Sequence, residues 1–272
     1  MVLSNYHTHT TFCDGLSSAE EHIKKAIALG FSSLGFSGHG YVPFEGLFCG
    51  MTPEATERYR AEINDLKAKY GDRLNIFLGL ENDAAYLHPV DGYDYTIGSV
   101  HCIKCGDKYY SVDSKAEITE TAVAQEFGGD GDAYAEAYFD AVLDFAAARR
   151  ADIFGHIDLV RRFNAGGREF FDESGRRYRV AAEYALERAV RSGYIIEVST
   201  APIQKGISDE TYPANYLLRL ARELDARVIV NSDAHLAENL NFAFDKAEAA
   251  LREIGFRERW ELTAGGFEAV EL

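Results

Sequence analysis

Histidine and acidic side chains recur in this chain at positions that suit divalent-metal chemistry. Of eight histidines, six close short apolar runs: His7, His9, His39, His101, His156 and His235. Glu81 and Asp233 hold equivalent positions. Residues i and i+2 of an extended segment point to one face, so His7-Thr8-His9 and Asp233-Ala234-His235 can each present two ligands to one ion. A lone imidazole at a strand end is ordinarily a satisfied polar group. Burying this many ionisable groups together without a cation would be very costly, so a metal centre is expected. With Asp14, in the loop after the first run, the candidate ligands are His7, His9, Asp14, His39, Glu81, His101, His156, Asp233 and His235. One ion takes roughly four to six ligands, so nine imply two or three divalent ions, with Glu81 the natural bridge. The set is nitrogen and oxygen without thiolate, which suits Zn²⁺, Mn²⁺ or Fe²⁺ without choosing among them.

These residues need a frame that brings strand ends together. Strands are expected over 2–8, 31–37, 74–80, 93–100, 153–154, 194–198 and 227–231, with helical patterns between most of them. Ser18 and Glu21 have capping-box spacing ahead of an apolar stripe at Ile23, Ala26 and Ile27, and Gly30 is placed to end that helix. Thr52-Pro53 has N-cap and N1 chemistry for a helix to Tyr70. Further helices are expected over 133–149, 178–192, 213–224 and 244–254, and a small edge hairpin from 260–263 and 267–270. The segment 103–132 has the least regular pattern and reads as a substrate-covering loop with some helix of its own. Seven strand-plus-crossover units predict an α/β fold, a distorted (β/α)₇ TIM-like barrel, as one domain over 1–272 with its site at the C-terminal strand ends. Neither GxGxxG nor a Walker A motif is present, so a nucleotide-binding α/β fold has no support.

The chain has 272 residues, 28 Lys+Arg against 44 Asp+Glu, and a formal charge of −16. That acidity disfavours nucleic acid or an anionic membrane as partner. At 47% hydrophobic and 26% charged residues it reads as a globular protein. No apolar run approaches the roughly 20 residues that span a bilayer, and residues 1–6 carry no basic region of a signal peptide, so a cytoplasmic location is expected. Of Cys13, Cys49, Cys102 and Cys105, only the last two form a CxxC. No second pair completes a zinc site, so reduced thiols are the expectation.

The segments HTHTTFCDG (7–15), FSGHG around His39, GLEND around Glu81, GSVH ending at His101, FGHIDLVRRF around His156 and VNSDAH ending at His235 resemble the polymerase-and-histidinol-phosphatase (PHP) superfamily over nearly the whole chain. The resemblance implies a distorted (β/α)₇ barrel with a trinuclear metal site that hydrolyses phosphate esters. By that resemblance His7, His9, Glu81 and Asp233 hold one metal. Glu81, His101 and His156 hold the second, with Glu81 bridging, and Asp14, His39 and His235 the third. The segments GSVH, GHIDLVRRF and EVSTAPIQKG look most like the monofunctional histidinol-phosphate phosphatases. Two positions depart from the family. Gly38 stands where an acidic residue usually precedes the histidine, and Gln204 stands where an arginine commonly grips phosphate.

The implied reaction is attack on phosphorus by a hydroxide between two ions, with Glu81, Asp233 and His235 as catalytic candidates. Arg161 and Lys205 are expected to bind the phosphate. Loops 109–125 and 41–51 are expected to cap the mouth. Within them Asp113, Glu117 and Glu120 could hold a cationic leaving group, and Tyr109 or Tyr110 could stack on an imidazole. Other readings stay open at this point: a PHP phosphoesterase for a nucleotide, phosphotyrosine or sugar phosphate, a metal-dependent amidohydrolase, or a metal-holding barrel without catalysis.

Overall fold

The computed structural model describes residues 3–44, 50–148, 150–165 and 167–272. Seven parallel strands form the central sheet in the order β1 (Leu3–Asn5), β2 (Phe31–Phe36), β3 (Asn75–Asp83), β4 (Tyr95–Ser99), β7 (Ile153–Phe154), β8 (Ile195–Ser199) and β9 (Val228–Asn231). The sheet curls into a nearly closed barrel. Its two outer strands meet just beyond their ends, where the His9 N–H donates to the Ala234 carbonyl (2.9 Å) and the Ala234 N–H to the His7 carbonyl (3.0 Å). The two segments expected to supply paired ligands therefore close the ring themselves.

Helices α1 (Ala19–Leu29) and α2 (Pro53–Tyr70) begin and end as their capping residues predict. Ser18 and Glu21 exchange capping-box hydrogen bonds, Gly30 ends α1 at φ 77°, and Thr52 caps α2 with Pro53 in its first turn. The left-handed backbone at residue 30 is one that glycine adopts without steric cost. Helices α4 (Gly131–Ala148), α5 (Arg176–Arg191), α7 (Asn215–Glu223) and α8 (Phe244–Ile254) bury one face each against the barrel, with short α6 (Ala201–Gln204) after β8.

Inside the barrel, Tyr6, Tyr95, Ile97, Ile153, Ile195 and Ile229 pack with Leu262 of the hairpin β10 (Glu258–Thr263) and β11 (Gly266–Glu271). Tyr95, Ile153 and Ile195 begin their strands, and Ile97 and Ile229 lie within two residues of a start, so the hairpin plugs the bottom. The Tyr6 hydroxyl donates to the Leu262 carbonyl at 2.9 Å. The Tyr95 ring crosses the barrel over Gly35 and Gly79, and a Cβ at either would fall 2.4 Å from it. Any larger residue there would displace the ring.

The segment 103–132 is more ordered than its composition suggests. It forms the antiparallel pair β5 (Cys102–Cys105) and β6 (Lys108–Ser111), then α3 (Ala116–Glu126). Ile103 and Val112 are both 1% exposed, which ties the hairpin to the outer core. Cys102 and Cys105 occupy opposite ends of β5, which puts their Cα atoms about 10 Å apart on opposite faces, too far to bridge. Both thiols are free, as is that of Cys13. Cys49 lies outside the described residues.

Candidate metal centre

All nine expected ligands converge at the C-terminal end of the barrel around Glu81, which is 1% exposed. Glu81 Oε2 lies 3.2 Å from His7 Nε2, 3.6 Å from His9 Nε2 and 2.9 Å from His39 Nδ1. Its other oxygen, Oε1, lies 3.3 Å from His101 Nε2 and 3.2 Å from His156 Nε2. Asp233 Oδ1 is 3.1 Å from His9 Nε2 and 3.7 Å from His7 Nε2. Asp14 reaches His235 Nε2 through Oδ2 at 3.2 Å and His39 Nε2 through Oδ1 at 3.7 Å.

These separations carry the test of whether metal ions fit. Donor atoms about 2.1 Å from a common ion, at tetrahedral to octahedral angles, stand about 3.0–3.4 Å apart. The separations across the cluster, 2.9–3.7 Å, bracket that spacing. His7 Nε2, His9 Nε2 and Glu81 Oε2 are buried, face inward, and make no well-angled hydrogen bond among the described residues, a costly arrangement unless a cation takes the lone pairs. Four sets of donor atoms are close enough to share an ion: His9-Asp14-His39-His235, His7-His9-Asp233, His7-Glu81-His156 and His39-Glu81-His101. The expected third set, Asp14, His39 and His235, is found together with His9 added. Glu81, with one oxygen toward each half of the cluster, has the geometry of a bridge.

In the metal-free cluster burial would lower His7, but Glu197 and Glu81 hold it well above the usual imidazole range, and Glu81 and Asp83 do the same to His101 against its burial, so an ion bound there takes the place of a proton. Burial, with His235 and His39 close by, pushes His9 down to about 3, so its imidazole is neutral with a lone pair to give. Burial alone would raise Glu81, but His7, His39 and His101 override it and hold the carboxyl well below the usual range. Asp233 is held down in the same way, against its burial, by Lys205 and His235. His156 and Asp233 adopt left-handed backbone, φ 21° and 52°, which non-glycine residues accept at a cost and which collects at functional sites.

Four residues at the cluster lie outside the ligand set expected from the sequence. Asp83 Oδ2 sits 2.8 Å from His101 Nδ1, and the Ser99 hydroxyl donates to Glu81 Oε1 at 2.6 Å. Glu197 and Asn231, both fully buried, stand behind His7. Asp83 had a readable signal, since it follows Glu81 by two and shares its strand face. Glu197 belongs to the one barrel strand without a ligand candidate.

The cluster floors a cavity of about 400 Å³ whose rim holds Arg162, Gln204, Lys205, Asp83, Asp113 and Leu236. Lys205 Nζ is 3.4 Å from Asp233 Oδ2, where a phosphate-binding cation was expected. Arg161 is not on the rim, which corrects that expectation. Its Nη1 bonds Asp158 at 3.1 Å and its Nε bonds Glu173 at 2.7 Å. In the tight turn 159–163 successive side chains diverge by about a third of a turn, so its neighbour Arg162 takes the rim position. Asp113, fixed by the Ser111 hydroxyl at 2.9 Å, faces the cavity. Glu117 faces Arg168 instead, Glu120 is exposed away from the lining, and Tyr109 stacks on Phe44 with ring centroids 4.0 Å apart. Tyr110 bonds Glu126. From the loop 41–51, Val42 lines the cavity, and residues 45–49 lie outside the described part.

A PHP domain profile matches residues 5–201. The chain belongs to the PHP domain family. This PHP chain is 29% identical to a probable histidinol-phosphatase of Deinococcus radiodurans over 265 residues, 94% of this chain and 95% of the relative. It is 25% identical to the histidinol-phosphatase of Bacillus subtilis over 263 residues, 88% of this chain and 96% of that one. Among solved structures, the putative histidinol phosphatase hisK of Listeria monocytogenes superposes with a TM-score of 0.78 at 24% identity, covering 89% of this chain and 99% of its own. The histidinol phosphate phosphatase of Lactococcus lactis, complexed with zinc, L-histidinol and phosphate, gives 0.76 at 22% identity over 98% of both chains. These likenesses carry the barrel fold.

Proposed function

We propose that this PHP chain is a metal-dependent phosphatase that hydrolyses L-histidinol phosphate to L-histidinol and phosphate. The observation that carries the reading is the convergence of nine nitrogen and oxygen ligands on Glu81 beneath a cavity rimmed by both cations and carboxylates. Relatives that bear the histidinol-phosphatase name align with this chain almost end to end. The whole of 1–272 serves as one catalytic unit in this proposal.

Divalent ions held by the nine side chains would supply an activated water and neutralise charge on the phosphoryl group. Glu81 bridges the two halves of the cluster. His235 Nδ1 lies 3.0 Å from the Asp233 carbonyl. Donation there leaves the Nε2 lone pair turned toward Asp14, where it would hold a divalent ion, and water in the cavity would supply the proton for the leaving oxygen. Lys205 and Arg162 hold the phosphate oxygens, Arg162 through its planar fork. Asp113, from β6 and its following turn, faces the substrate's ammonium or imidazole. The substrate is thus a small phosphate monoester with a cationic leaving group. A nucleic acid, repelled by the net charge of −16, does not fit, and the free thiols of Cys13, Cys102 and Cys105 suit the cytoplasm.

The second reading, a PHP phosphoesterase for another phosphate ester, draws on Gln204. It lines the rim at the position where the family commonly places an arginine. Steady-state phosphate release from L-histidinol phosphate, a nucleoside monophosphate and phosphotyrosine, after loading with Zn²⁺ or Mn²⁺, separates the two. A kcat/KM for L-histidinol phosphate well above the others is expected, and equal or inverted values favour the second reading.

A further inference from the structure

Strand β8 supplies no ligand, yet its inward carboxylate reaches two of them. Glu197 is fully buried. Its Oε1 lies 2.7 Å from His7 Nδ1 and accepts from Asn231 Nδ2 at 2.9 Å. Its Oε2 accepts from the backbone N–H of His156 at 2.9 Å. Asn231 cannot turn over freely, because its Oδ1 already accepts from the Tyr6 N–H at 2.8 Å. Two of its three partners, the Asn231 amide and the His156 backbone, can only donate, and a carboxylate there also accepts from His7 Nδ1 in the tautomer that carries its proton on that nitrogen.

Two consequences follow for the cluster. A carboxylate that takes the Nδ1 proton of His7 leaves Nε2 with its lone pair, and Nε2 is the buried atom that faces Glu81 without a well-angled hydrogen bond. Such carboxylate–imidazole pairs fix ring orientation and tautomer for a metal. The bond to the His156 N–H acts on the backbone instead. It holds a residue at φ 21°, a conformation that persists only where its surroundings enforce it.

We infer that Glu197 is a positioning residue that couples two metal positions, the His7-His9-Asp233 set, which it reaches through His7, and the His7-Glu81-His156 set, which it reaches through both histidines. The position built from Asp14, His39 and His235 is independent of it. This inference rests on the metal-centre reading proposed above. Glu197→Gln is the informative change because it keeps the shape but leaves one acceptor oxygen. With that oxygen toward His7, the amide NH₂ meets the His156 N–H. With it toward His156, the NH₂ meets His7 Nδ1 and favours the tautomer whose Nε2 carries the proton.

The test is a Zn²⁺ titration of metal-stripped wild type, Glu197→Gln and Glu197→Asp against a chromogenic chelator, with urea unfolding of each metal-free form. Wild type is expected to take up three equivalents. In Glu197→Gln two of them weaken by about 10–100-fold, while the third keeps its affinity. Glu197→Asp, which retains two acceptor oxygens at shorter reach, falls between. Uniform weakening of all three equivalents, tracking a loss of metal-free stability, or no weakening at all, overturns the proposal. If Glu197→Gln does not fold, the same selectivity must appear in Glu197→Asp, and its absence there overturns the proposal. A wild type that takes up no Zn²⁺ instead overturns the metal-centre reading, and this inference with it.

Discussion

At the scale of single residues, Arg161 and Arg162 show how adjacent, chemically identical side chains divide two tasks. Asp158 is fully buried and holds Arg161 and the Ala214 N–H. Arg161→Ala would leave that carboxylate without its cation in the interior. A loss of about 3 kcal/mol is expected, read by urea unfolding. Arg162→Ala should leave stability nearly unchanged and lower kcat/KM for phosphate esters by about 10–100-fold, the cost of losing a charge-assisted contact of about 1.5–3 kcal/mol. Reversed effects in the two variants would place the substrate on the other side of the turn. The ligands themselves were readable because imidazoles and carboxylates that close so many apolar runs would be costly to bury together without a cation. Which arginine faces the cavity was not readable, since both neighbours have the same chemistry and only Asp158 and Glu173 decide. At this scale too, His9→Ala or Glu81→Ala should lower bound metal and phosphate release together, measured by metal analysis and turnover. Normal turnover in either would refute the site.

At the scale of elements, helices with explicit start and stop signals were the legible ones: Ser18 with Glu21 and Gly30 for α1, Thr52-Pro53 for α2. The β5–β6 hairpin was not. Its strands have four residues each, too short for alternation to rise above a loop pattern, and the apolar face of α3 is built largely of small residues, Ala116, Thr119, Ala122 and Val123. The hairpin matters because it carries Ser111 and Asp113 to the rim. Asp113→Asn keeps the size and the bond from Ser111 while removing the charge. It should lower kcat/KM for L-histidinol phosphate several-fold and leave p-nitrophenyl phosphate, which has no cation, unaffected. Equal losses on both substrates would mean that Asp113 supports the cluster rather than the leaving group.

At the scale of the whole molecule, the barrel separates stability at its bottom from chemistry at its mouth, a division common to this architecture. The order of seven strand-plus-crossover units was legible from alternating apolar runs, but the job of the last two strands was not. Read as an edge hairpin, 260–263 and 267–270 carry no hint that Leu262 enters the barrel, because a single apolar residue does not announce its partners. Leu262 is 4% exposed and packs with Tyr6, Ile97, Ile195 and Ile229. Beside it Arg259, itself buried, bonds Glu248 at 3.2 Å and reaches Glu261, closing the floor with charge satisfied internally. Leu262→Ala would open a cavity at the strand starts, and such losses run at about 2.7–5 kcal/mol where the surroundings relax little. Most residues around that cavity lie within two positions of a strand start, whereas the ligands sit at the other strand ends; Tyr6, which directly precedes His7, is the exception. The variant should therefore unfold at markedly lower urea while bound metal and KM at moderate temperature stay at wild-type values. A change in KM or metal content that tracks the stability loss would mean that the floor and the mouth are one cooperative unit, with the ligand geometry set by the plug as well as by the strand ends.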